Sequence, residues 1–116
     1  MKISVNAKGN TIIYELNGSQ AAKDLYEQLP LSVEIENFSN NEKIFYPLSS
    51  LNVSNTPSAA GGDAGTIAYY APWGDVVMFY GSFSPASGLY ELGHTVSGGE
   101  YIRSMSGTIK LTKTNK

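Results

Sequence analysis

Hydrophobic positions along the chain recur mostly with the two-residue period of half-buried strands. In residues 2–7, Ile3, Val5 and Ala7 alternate with Lys2, Ser4 and Asn6. Lys8-Gly9-Asn10 then reads as a turn, and residues 11–16 return with Ile12, Tyr14 and Leu16 on one face. The two segments predict an N-terminal hairpin. Asn17-Gly18-Ser19 stops the second strand and offers a helix cap. In residues 20–29 the period changes to that of a helix. Ala21, Ala22, Leu25, Tyr26 and Leu29 form a stripe opposite Lys23, Asp24, Glu27 and Gln28, and Pro30 ends it. So short a helix needs a sheet or barrel end to pack on.

Alternation resumes at 31–38, where Leu31, Val33 and Ile35 oppose Ser32, Glu34 and Glu36. Residues 39–42 turn the chain, and 43–48 predict a returning strand that Pro47 ends or places at an edge. Residues 49–65 are polar and small, a long loop of a kind that often carries function. Two arms follow, 65–70 and 75–81, joined by a tight turn at Ala71-Pro72-Trp73-Gly74. These arms are apolar on both faces, so both faces must be covered. The expected assignment puts Ile67, Val77 and Phe79 inward and Tyr70, Met78 and Tyr80 outward. Residues 82–88 form a further loop, and 89–96 a strand with Tyr90, Leu92, His94 and Val96 on one side. Residues 100–105 predict one or two helical turns. Gly107 opens a last strand with Ile109 and Leu111 inward, and Lys113 to Lys116 are expected to fray. About eight short strands without a βαβ rhythm indicate a mostly β domain, either a closed antiparallel barrel or a sandwich.

Composition narrows the class. At 116 residues, with 41% apolar and 16% charged residues, one globular domain spanning 1–116 is expected. A net charge of −2 with no basic run argues against nucleic acid as a partner. No apolar window is long enough to span a membrane as a helix. The absence of cysteine removes disulfides and thiol chemistry and fits an oxidising or a reducing compartment equally. As it stands the chain carries no leader pattern and is expected in the cytoplasm, or outside it where a leader has been removed.

The candidate chemistry is sparse. His94 is the single histidine, so a zinc set cannot be completed and no metal site is expected. Gly61-Gly62-Asp63-Ala64-Gly65 lacks the Lys-Ser/Thr of a phosphate loop, and Ser84-Pro85-Ala86-Ser87-Gly88 lacks the first glycine of a nucleophile elbow. Asp63, Asp75, Glu91 and Glu100 read as turn-stabilising or solvated charges. The aromatic set is the main candidate, with Trp73 at a turn tip where exposure of a large ring is costly.

Several of these segments resemble a known family. Gly65-Thr66-Ile67-Ala68-Tyr69 followed by Gly74-Asp75-Val76-Val77-Met78-Phe79 resembles the central paired strands of cyclophilins. Leu92 to Ile102 looks like the strand–glycine–helix stretch that precedes their last strand. Leu29-Pro30-Leu31 and Asn41 to Pro47 look closer still to the compact bacterial and archaeal cyclophilin-like family. The resemblance covers residues 10–111. It implies an eight-stranded closed barrel with a helix capping one end.

True cyclophilins are peptidyl-prolyl isomerases. Their site lies outside the barrel and uses an arginine from the first half of the domain, a glutamine on the central hairpin and apolar side chains. This chain has one arginine, Arg103, near its end, and Asp75 to Val77 stand where the glutamine belongs. The resemblance therefore implies the groove without the catalytic pair. The expected function is a non-catalytic module binding a peptide segment or small apolar ligand beside the central hairpin, with no cofactor. The expected ligand-binding residues are Tyr46, Tyr70, Trp73, Met78, Tyr80 and Ser87, bordered by loops 49–65 and 82–88. A weak or degenerate prolyl isomerase is the alternative, and an accessory domain joined to an enzyme a third reading.

Overall fold

The computed structural model describes residues 1–114. Eight antiparallel strands close into a barrel in the order β1-β2-β7-β5-β6-β4-β3-β8. They are β1 (Lys2–Ala7), β2 (Asn10–Leu16), β3 (Leu31–Phe38), β4 (Glu42–Phe45), β5 (Thr66–Tyr70), β6 (Asp75–Phe79), β7 (Leu89–Ser97) and β8 (Gly107–Thr114). One helix, α1 (Gln20–Glu27), follows β2, and a 3₁₀ turn, Gly99–Ser104, precedes β8. Closure pairs β1 with both β2 and β8, so the barrel has no unpaired strand edge there.

The sequence pattern explains the interior. Ile3, Val5, Ile12, Tyr14, Leu25, Ile67, Met78, Leu92, Ile109 and Leu111 form one buried cluster. Helix α1 is started by Ser19, whose side chain accepts a hydrogen bond from the Ala22 N–H, and it buries Ala21, Ala22 and Leu25. It ends at Glu27, three residues before Pro30. The fourth strand stops at Phe45, earlier than the alternation suggested. Lys113 and Thr114, expected to fray, remain paired with Ile3 and Lys2 in the ladder of β1 and β8. The rest of that expected tail, Asn115 and Lys116, lies outside the described residues.

The central hairpin departs from expectation on its second arm. Tyr70 pairs with Asp75 across the turn, and so Ile67 lies opposite Met78 and Ala68 opposite Val77. Residues directly opposite in an antiparallel pair share a face. Met78 therefore points inward beside Ile67 and is fully buried, whereas Val77 and Phe79 belong to a second cluster with Ile44, Ala59, Ala68 and Leu89. The inward and outward sets expected for 76–79 are exchanged. Residue parity across the turn, and not hydrophobicity, decides the faces when every position is apolar.

A similar parity change occurs in β7. The register with β5 shifts between Ile67 and Ala68, so Gly93 pairs with Ile67 and Glu91 with Ala68. This bulge turns Leu92 into the core and leaves His94 exposed, although both lie on one side of an ideal strand.

An outer pocket beside the central hairpin

The second cluster forms the base of a pocket outside the barrel, with a volume of about 310 Å³. Val77 and Phe79 of β6 supply its floor together with Leu89 at the start of β7. Phe83 stacks flat on Phe79, centroids 3.9 Å apart and planes 6° from parallel. Loop 82–88 contributes Phe83, Ser84 and Ala86 to the wall. The backbones of Gly62 and Phe83 exchange hydrogen bonds of 3.1 and 2.9 Å, which hold this wall in place. Segment 49–65 supplies no lining residue itself. It runs behind the pocket, where the Ala59 N–H donates to the Leu89 carbonyl and the Glu91 N–H to the Pro57 carbonyl.

Three aromatic rings form the opposite rim. Trp73, at the tip of the β5–β6 turn, meets Phe38 edge to face at 5.0 Å and Tyr70 at 5.6 Å. The Trp73 ring stays 50% exposed. The turn is braced from below, where the Ala71 N–H donates to the Gly88 carbonyl. Gly88 has φ +87°, and a Cβ there would stand 2.7 Å from Cδ of Pro72. The position thus needs glycine both for its backbone and for the close approach.

Two carboxyl groups share this apolar setting. Asp75 begins β6 and is only 1% exposed. Its Oδ1 is buried without a hydrogen-bond partner. Burial pushes the Asp75 carboxyl above the usual carboxylate range, opposed by its own backbone N–H. Glu42, half-buried on β4, is raised first by burial and then by the charge of Asp75. None of the residues that line the pocket is lysine, arginine or histidine.

The expected site residues divide between four places. Tyr70 and Trp73 line the pocket. Met78 is in the barrel interior. Tyr80 lies on a separate polar cavity with Thr95, Glu100 and Arg103, where Arg103 stacks 4.8 Å over its ring and its hydroxyl donates to Oδ1 of Asn37 at 2.6 Å. Tyr46 and Ser87 are exposed and line neither cavity. The pattern missed Phe38, Glu42, Asp75, Val77, Phe79 and Phe83. For Val77 and Phe79 the signal was available, because pairing the turn residues Tyr70 and Asp75 sets the face of everything after them.

Comparison with known proteins follows the architecture. A profile of the cyclophilin-like family matches residues 5–113. The chain belongs to this cyclophilin-like family. Its fold is similar to the solution structure of a hypothetical protein from Archaeoglobus fulgidus, with a TM-score of 0.77 at 15% identity over 98% of this chain and 95% of that one. No curated protein matches it. Among the described residues of this family member, no group of three or more His, Cys, Asp or Glu side chains converges as a metal site. Among the described residues, no helix is long and apolar enough to cross a membrane.

Proposed function

We propose that this cyclophilin-like chain is a binding module whose outer pocket holds an apolar or aromatic group, presented by a peptide side chain or a small molecule. The observation that carries this reading is the pocket itself. Apolar and aromatic side chains wall a space of about 310 Å³, at the lower end of the range for ligand pockets. The exposed Trp73 ring is held at its mouth by Phe38 and Tyr70 without being covered by either.

Prolyl isomerisation has less support. The lining contains neither arginine nor glutamine, and Arg103 stacks on Tyr80 at the other cavity. Loss of one donor that stabilises a developing charge typically costs about 3 kcal/mol of transition-state binding.

Amide-resolved titration with short apolar peptides and small aromatic compounds tests the reading. Resonances of Phe38, Trp73, Asp75 and Phe83 are expected to shift together and saturate, while Gly99 and Arg103 stay in place. Failure of every compound to give a saturable shift overturns the binding reading. In a protease-coupled assay the chain is expected to leave proline isomerisation at its uncatalysed rate, and a rate comparable to that of a cyclophilin overturns the non-catalytic part.

A further inference from the structure

Resting on the binding reading of the same pocket, we infer that its ligand is an organic ammonium ion, an apolar or aromatic body carrying one protonated amine. The apolar floor alone does not require a charged group. The polar atoms of the wall do.

Asp75 lines the pocket, and its buried Oδ1 accepts no hydrogen bond. A buried acceptor left unpaired is costly, and a carboxylate is the costliest kind. Among the described residues nothing answers it. The neighbouring charged residue in the lining is Glu42, which has the same sign. Lys43, next in sequence to Glu42, lies on the opposite face of β4 beside Met78, and its ammonium sits 5.7 Å from the Tyr80 ring. The remaining polar lining is also committed in part, since Nδ2 of Asn41 donates to the Ser82 carbonyl.

An ammonium group meets each of these conditions. It offers only donors, so it pairs with Asp75 without leaving an acceptor unmatched. Its single positive charge offsets one of the two carboxylates and weakens the repulsion between them. The rim suits it as well, because the faces of Trp73, Tyr70 and Phe38 attract cations, and aromatic walls with adjacent carboxylates are the usual surroundings of bound ammonium. A carboxylate ligand meets the reverse at every point. A neutral alcohol supplies one donor but leaves Glu42 and Asp75 mutually opposed.

The test uses three probes of one shape: 2-phenylethylamine, 2-phenylethanol and 3-phenylpropionate. Each is titrated at neutral pH into the full chain and followed by the fluorescence of Trp73, the single tryptophan, and by amide shifts. The amine is expected to bind about tenfold more tightly than the alcohol, with the acid weakest. Asp75→Asn is expected to remove the preference while alcohol binding persists. Glu42→Gln, at a half-buried position, is expected to reduce it in part and serves if Asp75→Asn fails to fold. Equal binding of the three probes, or preference for the acid, overturns the ammonium inference and leaves the binding reading standing. No saturable response from any of them overturns the inference, and the same silence from the wider panel of apolar peptides overturns the binding reading too.

Discussion

Phe38, the last residue of β3, meets Trp73, at the tip of the β5–β6 turn, edge to face at 5.0 Å with planes 86° apart. The contact spans the mouth of the outer pocket and joins β3 to the turn between two strands that are not its neighbours in the barrel. Both rings are substantially exposed, 42% for Phe38 and 50% for Trp73. Their contact therefore contributes little hydrophobic burial, and geometry between the rings accounts for most of it.

A double-mutant cycle measures that geometry. Phe38→Ala and Trp73→Ala are each expected to lower stability modestly, with a coupling of about 0.5–1.5 kcal/mol between them in urea denaturation. Strict additivity would mean that the rings pack independently. Ligand affinity is expected to fall in both single variants, because each removes one side of the rim.

The exchanged faces of β6 give a second expectation. Met78 is fully buried among barrel residues, so Met78→Ala opens a closed cavity and is expected to cost about 2–5 kcal/mol. Val77 lies on the floor of an open pocket. Val77→Ala is expected to cost about 1.5 kcal/mol, the transfer term for two carbons, because solvent or ligand can fill the space. Equal losses in chemical denaturation would contradict the assignment of faces.

This pair also shows what was legible in the chain. β1 to β3 and β8 were readable because polar residues mark their outer faces, as Ser32 and Glu34 do beside Leu31 and Ile35. In β6, where Val76 to Phe79 are all apolar, hydropathy carries no information about direction. Only the pairing of Tyr70 with Asp75 carries it. The site was partly legible for the same reason. Trp73 announces itself as a large ring in a turn. Phe38 and Phe83 gain meaning only through three-dimensional proximity, and Asp75 looks like an ordinary turn carboxylate until its burial is known. The parity of β7 was harder to read: Gly93, at the bulge opposite Ile67 and Ala68, marks an irregularity in the strand but does not say which residues turn inward.

Asp75 and Glu42 make stability depend on pH in an unusual direction. Burial raises the folded-state carboxyl of Asp75, and burial with the charge of Asp75 raises that of Glu42. In the window above the ordinary carboxylate range, the folded chain binds more protons than the unfolded one. The contribution of the pair is then greatest below the unfolded values and is lost as pH rises through the folded ones. The chain carries ten Asp and Glu residues, so the wild-type profile alone does not isolate these two. The comparison is therefore between proteins. The melting temperature of Asp75→Asn relative to wild type is expected to increase from about pH 4 toward pH 7, following the ordinary carboxylate range upward. A pH-independent difference would show that Asp75 does not titrate differently on folding. An added ammonium ligand is expected to flatten the wild-type profile by holding both groups ionised.

Tyr14 poses the same question inside the barrel, where no ligand can answer it. Its ring is fully buried among Ile3, Ile12 and Leu111, and its hydroxyl has no hydrogen-bond partner. Burial alone drives the phenol far above its usual range, so it stays neutral, and removing it takes away no charge. The ring supplies the packing, while the oxygen contributes only the loss of its hydration. Tyr14→Phe keeps the former and removes the latter. Since an unsatisfied buried polar group costs about 1–3 kcal/mol, the variant is expected to be more stable by a sizeable part of that amount, measured as a higher urea midpoint at unchanged m-value. A loss of stability instead would mean that the hydroxyl makes a hydrogen bond in solution, and a change in m-value that the barrel repacks around the new ring.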